Sequence, residues 1–333
     1  MTSDWLAAAI APAVVTWVFI AVLLRTAWAA RLADHPNERS LHAIPTPRVG
    51  GLAILAATFP FAWLYASGPL AITLTCALGL ALVSLADDLR SQPISIRLGA
   101  HVAAAVVAVI STGEWPGAAG AGAWLACAAA IVAIVWAANL FNFMDGADGL
   151  AGGMAVVGFG AYAIAASRAG EAGLALVALA LASASAGFVV HNFPPARVFM
   201  GDAGSIPIGF LAAALGLHGV ASGIWPIAFP LLVFSPFAVD ATVTLLRRLE
   251  RREPFWRAHR GHYYQRLALS GWTRRRLTLA SWALMIAAST SALMLPAASF
   301  MLQCGIIFGW AVAYALMLLA IDRSTKTMAD PAK

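Results

Sequence analysis

The sequence predicts an all-α, polytopic integral membrane protein with a single transmembrane domain over residues 1–333. Three observations point to this fold class: hydrophobic residues make up 61% of the chain, charged residues only 11%, and the mean hydropathy is +0.82. An ordinary soluble domain is about 45–50% apolar and about 25% charged. Lipid must therefore be the solvent for most of the chain.

The apolar residues gather in runs long enough to cross roughly 30 Å of hydrocarbon, which takes about 17–25 residues of helix. From these runs we predict about 11 transmembrane helices. The odd number places the two termini on opposite sides of the membrane. The predicted spans are 5–28, 49–67, 70–86, 97–112, 122–138, 150–167, 173–190, 205–221, 224–246, 277–295 and 299–321.

The distribution of arginine indicates the orientation. Sorting the loops alternately leaves Arg168 alone on one face and gathers most other loop arginines, including the ten in 247–276, on the other. By the positive-inside rule the crowded face is cytoplasmic, so the N-terminus is predicted outside and the C-terminus in the cytoplasm. The larger polar clusters share the cytoplasmic face, where we therefore expect the active site.

Charge and cysteine content exclude other classes of protein. The formal net charge is +6, but the basic residues lie between the apolar runs, so nucleic acid is not an expected partner. The three cysteines lie inside apolar runs without CxxC spacing, which indicates neither a disulfide framework nor a thiolate metal site. The first run has an acidic residue before it and arginine after it, the reverse of a signal peptide, and is predicted to be a membrane helix.

Two adjacent carboxylates, Asp87 and Asp88, directly follow the third predicted span. Such neighbours repel each other unless a cation, a basic partner or a shared proton lies close by. A solvated helix end is the alternative interpretation, because charges are common at membrane boundaries.

A second cluster follows the fifth span. If that helix continues through residue 148, Asn139, Asn142 and Asp145 repeat at three-residue intervals and share one face. Their oxygens suit Mg²⁺, which combines carboxylates with substrate phosphate oxygens. A turn with capping side chains explains the Asp-Gly pairs at Asp145 and Asp148 but does not require the two asparagines.

The third cluster, Phe199 to Ser205, leads into the eighth span. Asp202 could be an ordinary N-cap of that helix. In the functional interpretation Asp202 holds a metal while Gly204, Ser205 and the helix N-terminus face phosphate oxygens. The two interpretations are compatible.

The fourth cluster is the arginine- and histidine-rich segment 247–276, predicted to be a cytoplasmic substrate loop. Membrane orientation and lipid attraction, at about 1 kcal/mol per charge, explain many of its arginines. His259 and His262, together with Arg257 and Arg260, instead suggest a lid that binds phosphates, since arginine offers forked donors. The four clusters together predict phosphoryl transfer between a water-soluble and a lipid-soluble phosphate.

These motifs resemble those of the polyprenyl-phosphate N-acetylhexosamine-1-phosphate transferases, which are glycosyltransferase family 4 and include the phospho-MurNAc-pentapeptide translocase. The resemblance covers about residues 35–267 and is nearest to the bacterial branch that starts surface polysaccharides such as O-antigen. It rests on Asp-Asp at 87–88, Asn-x-x-Asn-x-x-Asp-Gly-x-Asp-Gly-Leu from 139, and Phe-Met-Gly-Asp-x-Gly-Ser from 199.

The resemblance implies a multi-pass enzyme of the bacterial inner membrane that uses Mg²⁺, with Mn²⁺ as a substitute. Undecaprenyl phosphate would attack the β-phosphorus of a UDP-HexNAc, of GlcNAc or 6-deoxy-HexNAc type, to give undecaprenyl-diphosphate-sugar and UMP. Membrane lipids surround such an enzyme. The number of protomers, a homodimer included, stays open.

The resemblance also assigns roles to residues of this chain. Asp202 and Asn142 would ligate Mg²⁺, Asp145 would support the metal and phosphate site, and Asp87 with Asp88 would position the lipid phosphate. Asp148 and Phe199 would hold the uracil, while the segment with His259, Arg260 and His262 would contact the sugar and the diphosphate.

Two departures from the family pattern bear on the expected substrate and on the expected nucleotide contact. The three-histidine run of the translocase branch is replaced here by His259-Arg-Gly-His262, which argues against a MurNAc-pentapeptide substrate. Ile44 stands where that branch has lysine, so Arg48 or His42 would have to supply the nucleotide contact. Asp240, inside the ninth predicted span, is interpreted as structural.

A secondary transporter or lipid flippase is the main alternative function. Transporters bind substrate near the bilayer midplane and often carry inverted repeats. Here the polar clusters crowd one face, and the sequence shows no convincing repeat. A CDP-alcohol phosphotransferase is a further alternative, but the Asp-Gly-x-x-Ala-Arg run of that family is absent from the sequence.

Overall fold

A computed structural model describes residues 2–34, 44–113, 120–254 and 259–329 of the chain. The described residues are almost entirely helical. The helices are α1 (Thr2–Leu23), α2 (Ala27–Arg31), α3 (Gly50–Tyr65), α4 (Pro69–Leu89), α5 (Ile94–Ser111), α6 (Ala121–Phe143), α7 (Leu150–Arg168), α8 (Ala172–Asn192), α9 (Asp202–Ala221), α10 (Ala228–Val233), α11 (Ser235–Glu250), α12 (Tyr263–Leu269), α13 (Arg274–Ala292) and α14 (Phe300–Ala329).

A short antiparallel strand pair follows the first helices. Strand β1 (Ala33–Asp34) pairs with β2 (Thr46–Pro47), with Ala33 opposite Pro47 and Asp34 opposite Thr46. The second strand of the pair ends just before α3.

Helices α7, α8 and α9 form the buried centre of the bundle. Helix α8 packs against α7, α1 and α3, whereas α9 packs against α4 and α6. Small residues allow these close approaches: a Cβ atom on Gly187 would lie 2.2 Å from the carbonyl oxygen of Ala13, and one on Gly209 would lie 2.5 Å from that of Ala137. Small residues at helix contacts are typical of association in lipid, where van der Waals packing replaces the hydrophobic effect.

The outer helices expose large apolar side chains. Leu6 on α1 is 65% exposed and Phe308 on α14 is 71% exposed. In water such surfaces would favour aggregation, whereas in a bilayer they face lipid chains. Within the described residues nine helices are long and apolar enough to cross a membrane, which confirms the predicted polytopic all-α fold.

Two predicted spans differ from the structure. Helix α3 has 16 residues and is shorter than those nine. The span predicted over 224–246 is not one helix but two, α10 and α11, which meet at Phe234. Pro236 in the first turn of α11 lacks an N–H, which suits a helix start and not a helix interior. The count of eleven crossings and the orientation stay predictions.

Candidate active site

The ends of α6 and α9 meet through one amide and one carboxylate. The side-chain nitrogen Nδ2 of Asn142 donates to Oδ1 of Asp202 at 2.8 Å and to Oγ of Ser205 at 3.0 Å. Gly201, with a φ of +75°, is the N-cap of α9. Asp202 is the first residue of the helix and not its N-cap. Its carboxylate therefore does not cap the helix and instead faces Asn142.

The last turn of α4 brings a second carboxylate to the same place. Oδ2 of Asp88 accepts a hydrogen bond from the backbone N–H of Ala203 at 3.3 Å. Nη1 of Arg48 lies 3.6 Å from Oδ1 of Asp88, and Nη2 of Arg48 forms an ion pair with Asp34 on β1. Arg48, which follows β2, is therefore held near the start of α9 by its ion pair with Asp34 on β1.

Asp145 supplies a third carboxylate from the turn after α6. The condition for the shared face, a helix that continues through residue 148, is not met, because α6 ends at Phe143 and Asp145 lies beyond it. Asp145 accepts a hydrogen bond from the backbone of Gly201. Burial, followed by the nearby charge of Asp202, raises the pKa of Asp145 well above its usual range, against the lowering effect of Arg48.

We call Asp88, Asn142, Asp145, Asp202 and Arg48 the carboxylate cluster. Three acidic side chains here lie near a single arginine, so their full ionisation would leave excess negative charge, which a bound cation would relieve. In the described ranges no three His, Cys, Asp or Glu side chains form a ready-made metal cage. Mg²⁺ does not need one, since it commonly takes one or two carboxylates and completes its shell with water and substrate phosphates. The oxygen donors present fit that ion.

Asp87, the neighbour of Asp88, faces the opposite way. Oδ2 of Asp87 lies 2.8 Å from Nη1 of Arg97, and Oδ1 accepts from the backbone N–H of Gln92 at 2.6 Å. Consecutive helical residues point about 100° apart, so only one of the two can face α9. The structure therefore brings Asp88 into the cluster, whereas Asp87 ties the last turn of α4 to Arg97 in the first turn of α5.

Backbone contacts join the start of α3 to the residues just before α9. The N–H groups of Gly50 and Gly51 donate to the carbonyls of Phe199 and Met200 at 3.0 and 2.8 Å. A Cβ atom on Gly51 would lie 2.2 Å from Cα of Gly204. Gly204 thus permits helix contact here, and the motif around Phe199 is held by its main chain.

Asp148 and Asn139 lie next to the cluster but have other hydrogen-bond partners. The residue Asp148 is only 6% exposed. Its carboxylate accepts hydrogen bonds from the backbone N–H of Ala196 at 3.1 Å and from Arg274 at 3.4 Å. Asn139, one turn before Asn142, donates to the carbonyl of Val135 at 2.7 Å. Both side chains brace the helices that form the site.

Asp240 anchors the histidine segment, 259–264. Its carboxylate accepts from the backbone N–H of Tyr263 at 2.9 Å and of Tyr264 at 3.0 Å, and from Oγ1 of Thr244 at 3.3 Å. Oδ1 also lies 3.2 Å from Nδ1 of His262. A carboxylate at Nδ1 favours a proton on that nitrogen and leaves Nε2 of the ring as an acceptor. Sequence reasoning interpreted Asp240 as structural and missed this contact.

The two histidines of this segment stack, with ring centroids 4.9 Å apart. Burial, then the neighbouring His262, then Arg248 lower the pKa of His259 to about 4, so its ring is neutral at pH 7. Arg260 lies between the two histidines and is partly exposed. Arg257, the other predicted phosphate ligand of the loop, lies outside the described residues.

The histidine segment adjoins the turn that carries Asp145. The Tyr264 hydroxyl donates to the carbonyl of Phe143 at 3.1 Å, and a Cβ atom on Gly146 would lie only 2.2 Å from that hydroxyl. The ring of His262 lies 6.2 Å from that of Phe143. The structure therefore brings together the first three predicted clusters, at the ends of α4, α6 and α9. The fourth, the segment 247–276, contacts them through its histidine segment.

The sequence of this chain is similar to those of several known proteins. The model of glycosyl transferase family 4 matches residues 70–220. A phospho-N-acetylmuramoyl-pentapeptide-transferase of Moorella thermoacetica is 31% identical over 76% of this chain and 85% of the relative. An undecaprenyl-phosphate alpha-N-acetylglucosaminyl 1-phosphate transferase of Yersinia pestis is 30% identical over 78% of this chain and 75% of the relative.

A third relative, a probable undecaprenyl-phosphate N-acetylglucosaminyl 1-phosphate transferase of Bacillus subtilis, is 27% identical over 83% of this chain and 80% of its own length. These bacterial relatives and the apolar helices identify a multi-pass protein of the bacterial inner membrane. The extent of these matches, together with the motifs that meet at the carboxylate cluster, establishes that the chain belongs to glycosyl transferase family 4, the polyprenyl-phosphate N-acetylhexosamine-1-phosphate transferase superfamily.

Proposed function

We propose that the chain transfers a HexNAc-1-phosphate, of GlcNAc or 6-deoxy-HexNAc type, from a UDP-sugar to undecaprenyl phosphate. The products are undecaprenyl-diphosphate-sugar and UMP, and the reaction starts a surface polysaccharide such as O-antigen. The observation that carries the proposal is the carboxylate cluster, where three acidic side chains meet one arginine at the ends of α4, α6 and α9. The names of the Yersinia and Bacillus relatives, both undecaprenyl-phosphate N-acetylglucosaminyl 1-phosphate transferases, support the acceptor and the transferred group.

The cluster would hold Mg²⁺, with Mn²⁺ as a substitute. Asp202 and the amide oxygen of Asn142 would be its ligands, and Asp145 would support them. The ion would supply neutralisation of the diphosphate charge where donor and acceptor meet. The hydrogen bond from Nδ2 of Asn142 to Asp202 supports this role, because it turns the amide so that its oxygen is left for another partner.

Asp88 and Arg48 would position the acceptor. An oxygen of the lipid phosphate forms the new bond to the β-phosphorus of the donor, and the bond from that phosphorus to the bridging oxygen breaks, so UMP leaves. A phosphate monoester with a second pKa near 6 is already largely dianionic at pH 7, so proton removal contributes little. Charge neutralisation and alignment by Arg48 and the cluster then account for most of the rate.

The donor would lie between the α9 N-terminus and the histidine segment. Asp148 and Phe199 would hold the uracil, and Ser205 would brace the Asn142 side chain that it contacts. His262, with its Nδ1 turned to Asp240, would present Nε2 to the sugar or the diphosphate. His259, Arg260 and Arg257 would complete this contact and select the sugar.

Release of UMP by the purified protein in detergent tests the proposal. The reaction contains Mg²⁺, undecaprenyl phosphate and one of a panel of UDP-HexNAc donors. Asp202→Asn is the inactive variant, and Asp4→Asn, the same chemical change at the opposite end of the bundle, is its control. UMP that requires lipid phosphate, Mg²⁺ and Asp202 supports the transferase and names its donor. No UMP from any donor, with a related transferase active alongside, would contradict it and favour the transporter or flippase.

A further inference from the structure

A second polar site lies beside the histidine segment, in a cavity of about 640 Å³ between α11, α12 and α14. We call it the arginine cavity. Four arginines and two acidic residues line it: Arg247, Arg248, Arg251, Arg266, Glu253 and Asp322. Its charged side chains therefore carry more positive than negative charge.

The two acidic residues do not neutralise the cavity. Asp322 forms ion pairs with both Arg247 and Arg266, each at 2.7 Å. Glu253 lies 2.8 Å from Arg248 but 4.0 Å from Arg251, whose side chain is 68% exposed. One carboxylate is thus shared by two arginines, and the second pairs closely with only one of the other two.

The wall of the cavity also contains polar atoms without partners. The guanidinium groups of Arg247 and Arg266 lie 5.2 and 4.8 Å from the centre of the Tyr263 ring. The Tyr263 hydroxyl and Nε of Arg248 are buried and lack hydrogen-bond partners among the described residues. Buried polar groups are nearly always paired, and both of these can donate to an oxyanion.

The cavity is separate from the carboxylate cluster. Along the histidine segment, Tyr263 faces the arginines of α11 and α12, whereas Tyr264 faces Phe143 and Gly146 beside the cluster. The backbone between the two tyrosines is tied to Asp240. A ligand in the arginine cavity would therefore contact the back of the segment that carries His262.

We propose that the arginine cavity binds a phosphate group and that its occupancy restrains the histidine segment. Arginine matches phosphate because its forked donors bind two oxygens together. The headgroup of an anionic phospholipid of the cytoplasmic leaflet and a soluble phosphate share this chemistry. Neither source is a substrate of the proposed transfer, so the inference stands independently of that function.

Binding to the intact protein in nanodiscs or detergent tests the proposal. Two probes, each with its own reference, separate the sources: phosphatidylglycerol against phosphatidylcholine in the nanodisc, and inorganic phosphate against chloride in detergent. The readouts are the thermal unfolding temperature and lipid retention in native mass spectrometry. The variants are Arg251→Gln and Tyr263→Phe, with Arg275→Gln, an exposed arginine that does not line the cavity, as the charge-matched control.

We expect the phosphate probe to raise the unfolding temperature of the wild type and of Arg275→Gln. Binding should be about five-fold weaker in Arg251→Gln, the factor expected for one arginine beside an anionic surface. A response to phosphatidylglycerol alone identifies the leaflet as the source, and a response to inorganic phosphate alone identifies a soluble anion. Equal binding by Arg251→Gln and Arg275→Gln, or no response to either probe, overturns the proposal and leaves the arginines as orientation signals.

Discussion

The carboxylate cluster and the arginine cavity lie on opposite sides of one short segment, and their charges are unbalanced in opposite directions. In the cluster three acidic side chains face Arg48, whereas in the cavity four arginines face Asp322 and Glu253. Isolated buried charge of one sign is costly unless a partner neutralises it. These opposite imbalances support the two proposals, a cation with phosphates in the carboxylate cluster and an anion in the arginine cavity.

Asp240 lies between the two sites and is balanced by its own hydrogen bonds. It accepts from two backbone N–H groups and from Thr244, and it faces His262. Because its lone pairs are occupied within the chain, we expect Asp240 to act on the reaction only through the segment that it holds.

The largest expected effect is the loss of the cluster's cation site. Asp202→Asn should lower the rate of UMP release by at least about 1,000-fold, since it removes a carboxylate from the group that would neutralise the diphosphate. Asp87→Asn should cost about ten-fold or less, because Asp87 on α4 pairs with Arg97 on α5 and not with the cluster. Rates measured across a range of pH check this ranking. Equal collapse of both variants at every pH would remove the distinction between the two aspartates.

Asp240→Asn should have the next largest effect. We expect kcat to fall by about 100-fold with a smaller change in KM, because the ring of His262 loses the carboxylate that fixes its tautomer. The ¹⁵N chemical shifts of His262 report that tautomer directly. The control is Asp322→Asn, which removes a carboxylate bound to two arginines in the arginine cavity and should leave the His262 tautomer unchanged. An unchanged His262 spectrum in Asp240→Asn would assign Asp240 to stability alone.

The contact between the histidine segment and the cluster can be broken and then restored. Gly146→Ala would place a methyl group 2.2 Å from the Tyr264 hydroxyl but 3.4 Å from the ring carbon that bears it. Kinetics of UMP release should show a loss of about ten-fold in the single variant. Adding Tyr264→Phe removes the clashing oxygen and should recover most of the rate. A double variant no better than Gly146→Ala would show that the loss has another cause.

The fold class and the site differ in how far the sequence could predict them. Composition alone predicts a polytopic helical protein, and the family resemblance, not the spacing, pairs Asn142 with Asp202 as metal ligands. The side of α4 that faces α9 was not predictable, because Asp87 and Asp88 have the same chemistry and only helix rotation separates them. The prolines around Phe234 favour a helix break at that point. The apolar run is nevertheless continuous there, so a single span was predicted.

Contacts distant in sequence were hardest to foresee. The partners of Asp240 in the histidine segment lie 22 to 24 residues further along the chain, and Asp322 lies 56 residues beyond Arg266. Periodicity describes a residue's own helix, whereas these pairs depend on how three helices pack. The arginines of 247–276 were therefore predicted as orientation signals and phosphate ligands, but their shared cavity was not.

The smallest expected effect is on the protonation of His259, in the segment between the two sites. His259 should titrate with a pKa of about 4, followed by its Cε1–H resonance in a histidine-labelled sample. Since the unfolded ring binds a proton near pH 6.5 and the folded ring resists it, the protein should lose stability as pH falls from about 6.5 towards 4. Unfolding temperatures should fall less steeply over that interval in His259→Gln.

Arg248 lines the arginine cavity and also helps to lower the pKa of His259. Arg248→Gln should therefore raise that pKa, because a positive charge near the imidazolium is lost. Phosphate in the cavity should raise it in the same direction, since an anion offsets the same charge. Arg275→Gln should leave the titration unchanged. A His259 midpoint that responds to neither the substitution nor the anion would show that the cavity and the histidine segment are electrostatically independent.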